Sequence, residues 1–288
     1  MGTDCRSSGH VVSICRRTLL YRLSASRYAD KFILKGAALM LVWLDAQNRV
    51  TKDIDLLGLG NNSAEELRRV FTAICEQRVP SDDISFSTST VRVAPIREQQ
   101  EYGGMRVTLT AMLGKIKIPL QVDVGVGDAV VPAAGILDYP GLLDLPQARL
   151  RAYRPETSIA EKCEAMVRLA SANSRMKDFC DVYALAGALS FDGDTLRRAV
   201  AATFDRRHTP ISVSPPPVAF TMEFANDAQK RRQWEAFVRR NRLADSARDL
   251  ESVIAKLAEF LGPVLDAVAR GRRWRRKWAP NGPWKPRA

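Results

Sequence analysis

The chain is most constrained by two segments, Phe32-Ile-Leu-Lys-Gly-Ala37 running into the all-apolar residues 37–44, and Asp53-Ile-Asp55 shortly after. Phe32-Ile-Leu34, bounded by a glycine, reads as a short buried strand, and the apolar run behind the glycine reads as a buried helix. The Gly36-Ala37 turn then lies at a helix N-terminus, where backbone N–H groups can hold phosphate. In a strand, side chains two apart share a face. Asp53 and Asp55 would therefore point to one side while Ile54, Leu56 and Leu57 anchor the strand in the core. Two like charges that close need a counter-ion, and one Mg²⁺ gripped by both would supply it. The plainer alternatives are two solvated aspartates at a strand edge and a glycine turn that holds nothing.

The 288 residues, 46% of them hydrophobic, suffice for one large globular domain or two. No stretch of 18 apolar residues occurs, and Arg16-Arg17 interrupts residues 11–20, so neither a membrane span nor a signal peptide is expected. Cytoplasmic location without a membrane partner is the resulting expectation. Cys5, Cys15, Cys75, Cys163 and Cys180 form no Cys-x-x-Cys pair and have only His10 and His208 to join them, which favours reduced thiols over a zinc site. The net charge of +12 suggests a polyanionic partner, but residues 267–288 hold eight Lys/Arg and no acid, leaving +4 for the rest. From Arg270 through Trp274 and Trp278 to Trp284 this tail mixes cations with indoles, as nucleic-acid-binding arms do. A flexible basic terminus that serves solubility is the plain alternative.

Residues 11–30 are expected to be helical, with Leu19, Leu20 and Leu23 on the apolar side. Ser63-Ala-Glu-Glu66 is a capping-box pattern opening a helix to about Gln77, so helix and strand alternate. Met105, Val107, Leu109 and Ala111 alternate with polar neighbours, Leu113-Gly114 turns, and Ile116, Ile118, Leu120 and Val122 repeat the period, which reads as a hairpin ending at Asp123. Beyond Asp128 prolines mark a loop, and after Pro155 helical patterns dominate. A second capping box, Ser158-Ile-Ala-Glu161, precedes one apolar stripe, and Phe179, Val182, Tyr183, Ala186 and Leu189 form the next. Residues 211–217 look like a stiff linker, followed by helices around 227–242 and 244–261. These patterns divide the chain into an α/β lobe (1–150), a helical lobe (151–265) and a flexible tail (266–288).

Further groups join the aspartate pair. Asp123, in Leu120-Gln-Val-Asp-Val-Gly125, points opposite its valine neighbours and could meet Asp53 and Asp55 from an adjacent strand. Three carboxylates from two strands can hold one or two Mg²⁺ ions that bridge triphosphate oxygens. A solvated strand end is the alternative. Lys162 lies near a helix N-terminus, where it could neutralise phosphate or simply pair with Glu161 or Glu164. Asp178 and Asp181 share a helix face at i, i+3, opposite the apolar stripe, with Arg175 and Lys177 beside them, an arrangement that also suits an acid pair complementing the helix dipole.

Taken together and in this order, Phe32-Ile-Leu-Lys-Gly-Ala37, Arg49-Val-Thr-Lys-Asp-Ile-Asp-Leu56, Leu120-Gln-Val-Asp-Val-Gly125, Ala160-Glu-Lys162 and Arg175-Met-Lys-Asp-Phe-Cys-Asp181 resemble the AbiEii-type nucleotidyltransferase toxins of bacterial toxin–antitoxin systems, which include the MenT-type toxins and belong to the DNA polymerase β-like superfamily. The resemblance covers residues 18–190. It implies an α/β (α+β) fold, with a small mixed sheet in the nucleotidyltransferase lobe and a helical lobe behind it. Asp53, Asp55 and Asp123 would bind Mg²⁺ or Mn²⁺. Lys162, Asp178 and Asp181 would join Asp53 and Asp55 in catalysis, with Lys162 on the phosphates. Lys35, Gly36, Ala37, Thr51, Arg175 and Lys177 would contact the nucleotide. One departure stands out: the superfamily prefers Gly-Gly or Gly-Ser where this chain has Gly36-Ala37, so a serine contact to the nucleotide is missing while the backbone N–H remains.

The implied activity is transfer of a nucleotide from an NTP to RNA, with the tRNA 3′ end as acceptor, translation blocked as the consequence, and a cognate antitoxin encoded nearby. The same superfamily modifies aminoglycosides, so a small-molecule nucleotidyltransferase is the runner-up, though a more acidic second lobe would suit a cationic substrate better. A non-catalytic nucleotide- or RNA-binding protein is the third reading, against which the intact acids and Lys162 speak. Substrate binding in a cleft between the lobes is the corresponding architectural expectation.

Overall fold

The computed structural model describes residues 5–44, 53–79, 83–96, 103–141, 146–241 and 249–287. Two compact units divide the chain: residues 1–128 with 134–153, and residues 129–133 with 154–288.

The first unit is built on a seven-stranded mixed sheet of order β3-β4-β5-β2-β1-β7-β6. Helix α1 (Cys5–Ala25) buries Leu19, Leu20 and Leu23 as their spacing predicts. Strand β1 (Phe32–Lys35) runs antiparallel to β2 (Ile54–Gly58) and parallel to β7 (Ala148–Ala152). Between β1 and β2 comes the short helix α2 (Ala38–Trp43), with Ala38, Leu39 and Met40 buried. Helix α3 (Ala64–Glu76) starts at Ser63, whose hydroxyl accepts from the Glu66 N–H at 3.3 Å. Only half of that capping box forms, because the Glu66 carboxylate is taken by Lys31 and Arg69. Its apolar face carries Leu67, Val70, Phe71 and Ile74, and Phe71 meets Phe32 with ring centroids 5.7 Å apart.

Strands β4 (Met105–Leu113) and β5 (Ile116–Val126) form the expected hairpin, with Gly114 in the left-handed region (φ +57°). The sequence reading did not foresee β3 (Ile84–Pro95), β6 (Gly135–Tyr139) or β7. β3 is rich in Ser and Thr and shifts register between Ser87 and Arg92, which hides its period. Parallel pairing of β2 with β5 puts β2 in the middle of the sheet, with Ile54, Leu56 and Leu57 fully enclosed.

The second unit is mainly helical. Helix α4 (Pro155–Leu169) begins three residues before the expected cap. Proline suits the first helical position, where its missing N–H costs nothing, so Ser158 and Glu161 lie inside the helix and form no capping box. Helix α5 (Met176–Ala188) follows, then β8 (Phe191–Asp192), α6 (Gly193–Arg206), α7 (Met222–Asn226), α8 (Ala228–Asn241) and α9 (Leu250–Ala269). α9 passes the expected end at Leu261 and continues through Pro263. Among the described residues Cys15, Cys75, Cys163 and Cys180 are buried and form no disulfide, and burial pushes the Cys75 thiol up to about 12.

The expectation of a flexible tail needs correction. Strands β9 (Arg276–Trp278) and β10 (Trp284–Pro286) form an antiparallel ribbon that extends from β8. Trp278 is fully buried, and its indole N–H donates to the Ala186 carbonyl at 2.7 Å. Trp284 stacks on Phe260 of α9 at 5.7 Å and donates to the Phe260 carbonyl. Phe191, Phe260, Trp278 and Trp284 thus make one aromatic cluster, whose buried area explains the order.

Candidate active site

The strand register gathers the acids of the first unit into a lateral row. Lys35 on β1 lies opposite Asp55 on β2, Asp55 lies beside Asp123 on β5, and Asp123 lies opposite Arg106 on β4. Residues level with one another across a sheet project to the same side. The row therefore reads cation, acid, acid, cation. Asp123 accepts a bidentate pair from Arg106, Nε at 2.9 Å and Nη2 at 2.8 Å, and Gln121 Nε2 donates to the same carboxylate at 3.1 and 3.3 Å. Lys35 Nζ is 2.6 Å from Asp128 Oδ2 and lies 5.2 Å over the Tyr153 ring. Arg106, Gln121, Asp128 and Tyr153 were not anticipated.

Asp55 is fitted against the glycine turn. A Cβ placed on Gly36 would come within 2.0 Å of Asp55 Oδ2 and 2.7 Å of its Cβ, and Gly36 has φ +74°. Any side chain at 36 would both strain the backbone and displace the carboxylate. Ala37, 7% exposed, leads into α2. Asp53 is half-buried just before β2. Burial draws the Arg16 guanidinium below its ordinary pKa, with the Asp53 carboxylate as the main opposing influence, which makes Arg16 of α1 a neighbour that the sequence did not reveal. Thr51, expected at the nucleotide, lies outside the described residues.

A second cluster lies in the other unit, between α4 and α5. Lys162 Nζ is 2.7 Å from Asp178 Oδ1 and 2.8 Å from Asp181 Oδ2, while Arg175 Nε reaches Asp178 Oδ2 at 2.7 Å. The two acids are 4% and 0% exposed, so the expectation that they point away from the core does not hold. They tolerate burial because Lys162 meets them there. Burial alone would lower the Lys162 pKa, but Asp178 and Asp181 outweigh it and hold it above the ordinary lysine value. Burial alone would raise Asp178, and Lys162 with Arg175 instead holds it below the usual carboxylate range. Local pairing with Glu164 is ruled out by that residue's own partners, Arg168, Arg207 and Thr209. Lys177 is exposed on α5.

Residues 18–257 match the family described as nucleotidyl transferase AbiEii toxin, type IV toxin–antitoxin system. The chain belongs to that family. Family membership makes this AbiEii protein a nucleotidyltransferase toxin by descent, with a nucleotide substrate and a cognate antitoxin. No curated protein matches the sequence. Among solved structures, the fold is shared with JHP933 from Helicobacter pylori (14% identity, 94% of each chain, TM-score 0.50). A second H. pylori structure is equally similar (12% identity, 94% of this chain and 97% of that one, TM-score 0.50). MenT4, a nucleotidyltransferase toxin from Mycobacterium tuberculosis, aligns over 91% of this chain and 93% of its own at 16% identity and a TM-score of 0.47, too distant to build on. Among the described residues no helix is long and apolar enough to cross a membrane.

Whether the AbiEii acids fit a divalent cation turns on their donor chemistry. Carboxylate oxygens suit Mg²⁺ and Mn²⁺, and the β2–β5 register sets two of them side by side. The Gly36 turn, open only because it lacks a Cβ, holds Asp55 at that place. Against this, no three acidic, histidine or cysteine side chains converge as a ready metal cluster among the described residues, and Asp123 is occupied by Arg106. The residue types and register fit the ion, with the Arg106 guanidinium standing where a cation would compete.

Proposed function

We propose that the protein transfers a nucleotidyl group from an NTP to RNA, with the tRNA 3′ end as acceptor, and thereby blocks translation. The observation that carries this reading is the row Lys35–Asp55–Asp123–Arg106 beside the Gly36-Ala37 turn. Asp53, Asp55 and Asp123 would hold Mg²⁺ or Mn²⁺, Asp123 giving up Arg106 to do so. A bound divalent ion supplies charge neutralisation on the triphosphate and favours in-line attack. The turn presents backbone N–H groups to phosphate, and Lys35, held by Asp128, adds positive charge beside it. The RNA 3′-oxygen forms a bond to the α-phosphorus while the α–β bridging P–O bond breaks, so pyrophosphate leaves and the hydroxyl proton passes to water.

In the second unit, Lys162 is a cation whose charge is favoured and whose position is set by Asp178 and Asp181. Its family role on the departing phosphates, and those of Arg175 and Lys177 on the nucleotide, belong to the same proposal. The test is incubation of purified protein with Mg²⁺, each labelled NTP, total RNA and aminoglycosides. Label entering tRNA with wild type and absent with Asp55→Ala is the expected result. Label entering an aminoglycoside instead would transfer the assignment to the small-molecule reading, and label entering neither would overturn the enzymatic one.

A further inference from the structure

We propose that the outer face of the C-terminal ribbon is a docking surface for the RNA phosphate backbone. The inference rests on RNA being the acceptor. It begins with the pairing of β9 and β10: Trp278 lies opposite Trp284, Lys277 opposite Lys285 and Arg276 opposite Pro286. The Arg287 N–H donates to the Arg275 carbonyl at 3.4 Å, which extends the same register by one pair. Alternation then sends the two tryptophans inward and Arg275, Lys277, Lys285 and Arg287 outward together. All four are exposed. The one acid level with them, Asp192 on β8, is occupied by Arg287 at 2.9 Å and by the N-terminus of α6. Three cations remain in excess on one flat face.

That face differs from an ordinary solvated charge run in being held rigid from below. The two indoles donate to Ala186 and Phe260, and Arg276 stacks over Trp274. Like charges directly opposite one another on a ribbon destabilise it, so Lys277 facing Lys285 is a local cost that an anionic ligand would relieve. The backbone positions that carry these cations are about 5 Å apart across a ribbon and roughly 6.7 Å apart along a strand, a spacing from which the side chains can reach successive phosphates. Among the described residues the exposed large apolar side chains are Ile116, Ile136 and Met222, none of them on the ribbon, so the face lacks the apolar anchors that a protein or membrane partner would use. With the indoles committed inward, base stacking is not available to it, and recognition would be of backbone rather than sequence.

The experiment uses the full chain and fluorescein-labelled tRNA, with anisotropy measured across a salt series. Arg275→Ala/Lys277→Ala/Lys285→Ala is compared with wild type and with Arg231→Ala/Arg232→Ala/Arg240→Ala, which removes equal charge from exposed positions of α8. Expected for the ribbon variant, and not for the α8 control, are binding weaker by about tenfold and a log–log salt slope shallower by about two, since each phosphate contact contributes roughly 0.7–0.9. The melting temperature, unchanged in both, shows that the fold is retained. If wild type binds tRNA and the ribbon variant binds it equally well, or if both variants lose affinity alike, the docking surface is wrong while RNA as acceptor stands. If wild type binds no tRNA and nucleotide label goes elsewhere, the RNA reading itself fails. Binding to vesicles of anionic lipid that exceeds binding to tRNA would also overturn the proposal.

Discussion

Gly36 is fixed by two independent demands, a left-handed backbone and the proximity of Asp55 Oδ2. Gly36→Ala should therefore cost about 1–2 kcal/mol from the backbone alone and also push the carboxylate aside. Because a displacement near 1 Å can reduce turnover about a hundredfold, transfer activity should collapse while the melting temperature falls by only a few degrees. A fully active Gly36→Ala enzyme would show that Asp55 need not occupy that place. Arg106 gives a second prediction at this scale. Its pair with Asp123 is partly exposed and worth at most ~1 kcal/mol, so Arg106→Gln should tighten Mn²⁺ binding by about fivefold in calorimetric titration. Unchanged or weaker binding would mean that the guanidinium does not compete with the metal. Arg106 was within reach of the sequence: the tight Leu113–Ile116 turn fixes the hairpin register, and counting back from it places residue 106 opposite residue 123. Asp128 and Arg16 gave no comparable signal, since a loop acid and a helix arginine can face anywhere until tertiary packing decides.

Helices α4 and α5 are tied together through Lys162, which makes that pair a pH-sensitive element. Asp178 has a folded pKa below its unfolded value of about 3.9. Its contribution is present above that pH and is lost as the pH falls through the folded value. Lys162 has a folded pKa above its unfolded value of about 10.4. Its contribution is complete below that pH and is lost as the pH rises through the folded value. Lys162→Met leaves two buried acids without their main cation and should cost about 3–5 kcal/mol at pH 7. That gap should narrow on acidification toward pH 4, because the variant's buried carboxyls then prefer to be protonated. Urea midpoints at pH 7, 5 and 4 measure it, and a constant gap would contradict the ion-pair account. The sequence set Asp178 and Asp181 on one helix face and Lys162 on the helix before it, with nothing in the spacing to pair them. Their burial was hidden because helix periodicity marks acids as outward, and only the neighbouring helix supplies the reason to turn them in. The same lesson holds for Ser158-Ile-Ala-Glu161, where Pro155 outcompeted a good capping pattern, and for β3, whose serines and threonines leave no clear alternation.

For the whole molecule, the strand–turn–helix at Gly36 and the β4–β5 hairpin were legible because short-range patterns specify them, whereas the C-terminal ribbon was not, because its meaning lies in contacts with Phe191 and Phe260. Charge composition made it look like a loose arm. Removing residues 270–288 should therefore do more than weaken RNA binding. Trp278→Ala alone should cost about 3–5 kcal/mol, read as a drop in melting temperature and faster proteolysis within 154–269, whereas a merely appended tail would leave both unchanged. The pairing of Phe191 with Trp278 also sets an order of events during synthesis. Every strand of the first unit's sheet has been made by Ala152, so the acid row can assemble before the helices of the second unit are translated. At about 5–20 residues per second, some 6–25 s then separate that point from the arrival of Trp278. For that interval the nascent chain carries a finished sheet and an aromatic cluster still waiting for its last members, and this is when a chaperone has the most apolar surface to hold.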